Sequence, residues 1–251
     1  MNTALAAVIV FGWLIGAVLL GRALRRLLPE EHLSGDSKDA VKLAMGLVAT
    51  MSALVLGLLV SSAKGSYDTE RSEVIQMAAK VAFLDRVLAA YGSEAADARE
   101  RLRGAVAAAV QQMWPGEANV PARLAPDTQA GNAVYGVIQG LSPHNDTQGS
   151  LKAQAATLAT DLGQVRSLLV AQSVPSISKP MLIILVSWLA IIFLGFSVLA
   201  PPNATAILAL MVSALAVSGA IFLILELDEP FGGVIRIPSE PMLNALSHLG
   251  K

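Results

Sequence analysis

Four stretches of this chain carry no charged residue: Thr3–Gly21, Leu43–Ala63, Met181–Ala200 and Ala204–Leu225, of 19, 21, 20 and 22 residues. An α-helix rises about 1.5 Å per residue, so roughly 20 residues cross a hydrocarbon core about 30 Å thick. Inside that layer no water solvates the peptide groups, and only helices and closed barrels satisfy them. The runs are continuous rather than alternating, which excludes barrel strands. Composition argues against four buried helices of a water-soluble domain. Charged residues make up 15% of the chain, against about 25% in soluble domains. No Lys or Arg precedes the first run, and Arg22, Arg25 and Arg26 follow it. A cleaved secretory signal carries its positive charge in front, so the run reads as a retained helix. The expected fold is all-α and multipass, with four transmembrane helices in two hairpins and an extramembrane helical bundle between them.

The punctuation between the runs gives the organisation. Residues 1–63 form a first transmembrane hairpin, 64–180 an extramembrane helical domain, 181–225 a second hairpin and 226–251 a C-terminal tail. Pro29 ends the first helix, and Asp36 or Ser37 is placed to cap the second. That second helix has no proline from Asp39 to Ala90, and beyond Gly65 its apolar period continues through Val74, Met77, Val81, Leu84, Leu88 and Tyr91. The spacing predicts one helix of about 50 residues whose lower part presents a packing seam. Gly92-Ser93 turns the chain, with Ser93 as cap of a helix to Trp114 striped by Ala98, Leu102, Ala105, Ala109 and Met113. Residues 115–126 hold three prolines and read as a loop. A short helix over Asp127–Gln139 and an amphipathic one over Pro143–Gln172 follow. The latter has Leu151, Ala155, Leu158, Leu162, Val165 and Leu169 on one face. Pro175 and Pro180 frame the third apolar run, and Pro201-Pro202-Asn203 turns into the fourth.

Enzyme chemistry has no foothold. The sequence lacks the zincin, nucleophile-elbow, P-loop and dinucleotide-binding patterns. Its three histidines, His32, His144 and His248, fall on different loops or ends, and there is no cysteine. No metal or other cofactor is expected. A net charge of −1 offers no basic patch for nucleic acid.

Two segments remain as candidates for function. On the second helix Gly46, Thr50, Ala53, Gly57 and Ser61 recur at spacings of three and four, giving a stripe of small and hydroxylic residues. Such a stripe lets helices approach closely in lipid, and it equally suits the wall of a narrow pore. After the fourth run come Glu226, Asp228 and Glu229, then Pro230, Phe231 and Gly232. Carboxylates at a pore mouth concentrate cations. At the end of a helix they oppose the macrodipole, so the segment marks either a pore mouth or a structural motif.

Glu226-Leu227-Asp228-Glu229-Pro230-Phe231-Gly232 resembles the Glu-x-Glu-x-Pro-Phe-Gly segment that follows the last membrane helix of bestrophins. The wider chain resembles the bacterial bestrophin-like family through Leu28–Leu33, Asp36–Asp39 and the following helix to Lys64, and Leu84–Gly92. The resemblance implies a channel for small inorganic ions, a homo-oligomer (a pentamer in bestrophins) embedded in the lipid bilayer of a bacterial inner membrane. It also implies a cytoplasmic middle domain. Two departures matter. The calcium-binding acidic cluster of eukaryotic bestrophins is replaced by Gly233-Val234-Ile235-Arg236, and the aromatic neck has no counterpart in Leu43–Ala63. Neither calcium binding nor selectivity carries over.

Charge near the membrane leaves orientation open. Five Lys/Arg lie between Arg22 and Lys42 and none in the second short loop, while Lys64, Arg71, Arg166, Lys179 and Arg236 flank the other side. The positive-inside rule therefore has almost no bias to act on. The expected function is an ion-channel subunit, not an enzyme. The alternative is a non-conducting membrane scaffold or sensor whose long helix transmits a signal.

Overall fold

The computed structural model describes residues 3–29, 35–115, 128–172, 177–201 and 203–250. Every described element is helical: α1 (Thr3–Leu27), α2 (Gly35–Tyr91), a 3₁₀ turn (Ser93–Ala95), α3 (Ala96–Met113), α4 (Thr128–Gly140), α5 (Asp146–Gln172), α6 (Lys179–Leu199), α7 (Ala204–Leu227) and α8 (Glu240–His248). Four of them, α1, α2, α6 and α7, are long and apolar enough to cross a membrane, and they coincide with the four charge-free runs. The chain folds as two compact units. One holds α1, α2 up to Gly65, α6 and α7; the other holds α2 from Ser66, then α3, α4, α5 and the segment from Glu229 with α8.

In the first unit α1 packs along both α6 and α7, so helices from both sequence pairs share one packing body. Small residues set the α1–α6 approach. A Cβ built on Gly21 would lie 2.6 Å from the Leu194 carbonyl oxygen and 2.9 Å from Ser197 Cβ. Beside it the Ser197 hydroxyl donates to the Val18 carbonyl at 2.6 Å, satisfying a buried polar group in a setting without water. Arg25, in the last turn of α1, donates to the Val198 carbonyl at 3.3 Å. A cation there favours the negative end of its own helix and satisfies a terminal carbonyl of α6. Asn203 caps α7, its side chain accepting from the Ala206 amide at 2.8 Å, and Pro180 sits in the first turn of α6, where a missing N–H costs nothing.

The second unit is a helical bundle around one core. The predicted α2 seam is buried throughout, from Val74 to Tyr91. It joins Leu102, Val106 and Met113 of α3, Val134 and Ile138 of α4, Ala155 and Leu169 of α5, and Met242 and Ala245 of α8. Ion pairs fix the register between helices. Arg99 grips Asp85 with two hydrogen bonds of 2.8 and 3.0 Å. That contact pushes the Arg99 guanidinium above its ordinary value, against the opposing effect of desolvation. Asp85 also accepts from the Gly250 amide at 3.4 Å, so α2, α3 and the C-terminal segment meet on one carboxylate. Lys80 and Asp161 pair at 2.6 Å between α2 and α5.

Three local expectations are corrected. Helix α2 begins at Gly35, so Asp36 and Ser37 lie inside its first turn rather than ahead of it. Ser93 is not a cap: it opens the 3₁₀ turn, α3 begins at Ala96, and neither helix start has a side-chain cap. Gly92 makes the turn by itself with φ 124° and ψ −171°, a conformation essentially confined to glycine. The C-terminal stretch contains α8, which the sequence reading left as tail. Its signals are Pro241 in the first turn and apolar residues at Met242, Ala245 and Leu249. Asp127, Pro175 and the Glu30–Ser34 loop lie outside the described residues.

Gly21→Val should be destabilising by about 1–3 kcal/mol, the usual cost of overpacking. Gly12→Ala, whose added carbon meets nothing within 4 Å, should leave stability unchanged or slightly raised. Thermal unfolding of the two variants in the same detergent checks both.

Candidate functional site

The α2 stripe is exposed along its whole length: Gly46, Thr50, Ala53, Gly57 and Ser61 are all open in the chain. Between Leu43 and Ala63 the helix buries only Met45, Ser52, Leu59 and Ala63. At about 100° per residue the stripe lies roughly 120–140° around the helix from that seam. The glycines make the distinction sharper. A Cβ on Gly195 of α6 would sit 2.5 Å from the Met45 sulfur, whereas a Cβ on Gly46 or Gly57 would meet nothing within 4 Å. Close packing within the chain therefore explains Gly21 and Gly195 and does not explain the stripe. Thr50 donates its hydroxyl to the Gly46 carbonyl at 2.8 Å, so it is satisfied without a neighbour. Beside the stripe runs a row of bulky apolar residues, Leu43, Leu47, Leu54 and Leu58, each at least 61% exposed. One flank of α2 is thus small and weakly polar and the next is greasy.

The segment after α7 divides between the two units. Glu226 belongs to the first and is buried, 1% exposed. Thr3 donates its hydroxyl to Glu226 Oε1. Thr3 opens α1, so the carboxylate stands at a helix N-terminus, where amides lack intrahelical partners and the macrodipole is positive. Glu226 is therefore tied to α1 and is not part of a solvated acidic patch. Asp228 ends α7, its backbone N–H reaching the Glu226 and Ile224 carbonyls, and its side chain is half-buried. Glu229 is exposed.

Pro230, Phe231 and Gly232 belong to the second unit and act together as a fastening. The Ile237 amide donates to the Pro230 carbonyl at 2.8 Å and the Gly232 amide to the Glu229 carbonyl at 3.0 Å. Gly233 takes φ 64°, and Arg236 Nε donates to the Gly233 carbonyl at 2.7 Å. The closed loop is pinned on Trp114 at the end of α3. Its indole N–H donates to the Ile237 carbonyl at 2.8 Å, and its ring meets Phe231 edge-on with centroids 5.9 Å apart. The Tyr67 hydroxyl of α2 reaches the Arg236 carbonyl at 3.3 Å.

Sequence reasoning missed Thr3, Trp114 and the Asp85–Arg99 pair. Thr3 and Glu226 are 223 positions apart, and nothing local marks them. Trp114 had a signal: a tryptophan beside the helix-ending Pro115. Among the described residues no group of three or more His, Cys, Asp or Glu is placed to hold a metal ion.

Thr3→Val should destabilise the protein by about 1–3 kcal/mol, because a buried acceptor loses its donor. The same change in a Glu226→Ala background should cost far less, and a double-mutant cycle by thermal unfolding reads the coupling.

Comparison with known proteins returns a family. The model of the Bestrophin-like domain matches residues 12–242. Among solved structures the chain is similar to the crystal structure of a point mutant of a bacterial bestrophin homologue from Klebsiella pneumoniae. The TM-score is 0.64 at 15% identity, over 93% of this chain and 96% of that one. At that identity the likeness is one of fold. Comparison with curated proteins gave no match.

Proposed function

Because the chain belongs to the Bestrophin-like family, we propose that it is a subunit of a homo-oligomeric ion channel, carrying small inorganic ions across a bacterial inner membrane. In this reading α1–α2 and α6–α7 cross the bilayer as two hairpins, the second unit lies in the cytoplasm, and α2 lines the axis shared by the subunits. The family and its fold go with channels rather than with enzymes. The observation that carries the role of α2 is its unpartnered stripe. Gly46 and Gly57 are small for no reason found inside the chain, and a helix facing its own copies around a narrow passage supplies one. The walls there are backbone, methyl groups and the hydroxyls of Thr50 and Ser61, so any constriction is aliphatic or hydroxylic. Asp228 and Glu229 are the carboxylates left to tune the mouth, since Glu226 is committed to α1.

A non-conducting scaffold or sensor is the rival, favoured by the unbroken run of α2 from Gly35 to Tyr91, which links the two units by one helix. Conduction separates the two. Purified protein in planar bilayers should pass current, and neutralising Asp228 and Glu229 should shift the cation/anion preference toward anions. The chain contains no cysteine, so single-cysteine variants report cleanly. Thr50→Cys and Ser61→Cys should be blocked by a charged, membrane-impermeant thiol reagent, and Leu54→Cys should not. Well-folded protein that never conducts, or block at Leu54 instead of Thr50, overturns the proposal.

A further inference from the structure

The second unit contains a cleft of about 1050 Å³ lined by α2, α3, α4, α5 and α8. Its floor is apolar and buried, formed by Met77, Val81, Leu84, Leu102, Val106 and Met242. Protein interiors pack as densely as organic crystals, so an unfilled space of this size over a buried floor is a place for an occupant. It lies at the upper end of the range for small-molecule pockets, about 300–1,000 Å³. The hydroxyls of Thr160 and Ser167 donate back to the Ala156 and Gly163 carbonyls of their own helix, at 2.9 and 2.8 Å. They leave the α5 wall largely apolar. Arg166 is the one charged side chain in the lining, its Nη2 lying 3.5 Å from Gln112 Oε1.

We propose that this cleft binds a long-chain carboxylate, with the alkyl tail on the floor and the carboxylate at Arg166. The chemistry selects that class. A deep apolar floor with a single guanidinium is complementary to a molecule that is greasy along its length and anionic at one end, and the guanidinium fork matches a carboxylate. A protein partner laid across the opening would meet the exposed rim, where Gly163, Ser167 and Leu168 stand open, and would leave the floor unfilled. One alkyl chain reaches it. The site is separate from the proposed passage and does not depend on conduction.

The test uses the full chain in lipid nanodiscs, titrated with a dansylated undecanoic acid and read against empty nanodiscs. Saturable fluorescence enhancement, displaced by palmitate, is expected. Arg166→Gln should weaken the acid by about tenfold, the worth of one charge-assisted hydrogen bond, and leave the methyl ester of the same probe unchanged. Gly163→Phe should abolish binding of both. That substitution enters open space, because a Cβ at Gly163 meets nothing within 4 Å, so the fold should survive. The proposal is overturned if no saturable signal rises above the blank, if Gly163→Phe binds normally, or if Arg166→Gln weakens acid and ester alike. Efficient cross-linking between subunits at Gly163→Cys would also overturn it, by placing a second copy in the cleft.

Discussion

A peptide group in hydrocarbon has no water to bond, and that single constraint shapes this chain. It forces each of the four charge-free runs to close its own hydrogen bonds as a helix. It also makes every polar side chain within the first unit find a partner in protein. Ser197 bonds Val18, Ser218 bonds Ala214, and Thr3 bonds Glu226. Where lipid removes the hydrophobic drive between helices, small residues take over the packing, as at the α1–α6 approach around Gly21.

The glycines then divide into two kinds. Gly21 and Gly195 are small because another helix of the same chain is already there. Gly46 and Gly57 are small with nothing beside them. The second kind has no explanation in one subunit and directs attention to what α2 faces in the assembled particle. The apolar row of Leu43, Leu47, Leu54 and Leu58 suits lipid or another apolar surface. The small, hydroxylic row suits close approach or passage.

The segment after α7 shows how one motif serves two mechanical ends. Glu226 anchors the start of α1, while Phe231 and the loop around it lock onto Trp114 and Tyr67 in the second unit. A string of acids that looked like one charged mouth is therefore partly structural.

The helices were legible because long apolar runs and the three-four seam of lower α2 are written locally; Val74 to Tyr91 is buried as its spacing required. Burial of Glu226 was not legible, since it depends on a hydroxyl at the other end of the chain, and charge at a membrane edge usually signals solvent. Helix α8 was missed because its nine residues are too short for periodicity to outweigh two neighbouring prolines. The small stripe was visible, but its meaning was not, because tight packing and an open passage demand the same residue types. Only the empty space around Gly46 and Gly57 separates packing within the chain from a role outside it. The central claim is that this flank of α2 surrounds a shared axis. An electron cryomicroscopy map of the particle in lipid nanodiscs tests it most directly. The account predicts a closed ring of subunits with Gly46, Thr50, Ala53, Gly57 and Ser61 turned toward the symmetry axis. A lone subunit, or a ring in which that flank of α2 faces lipid, would contradict it.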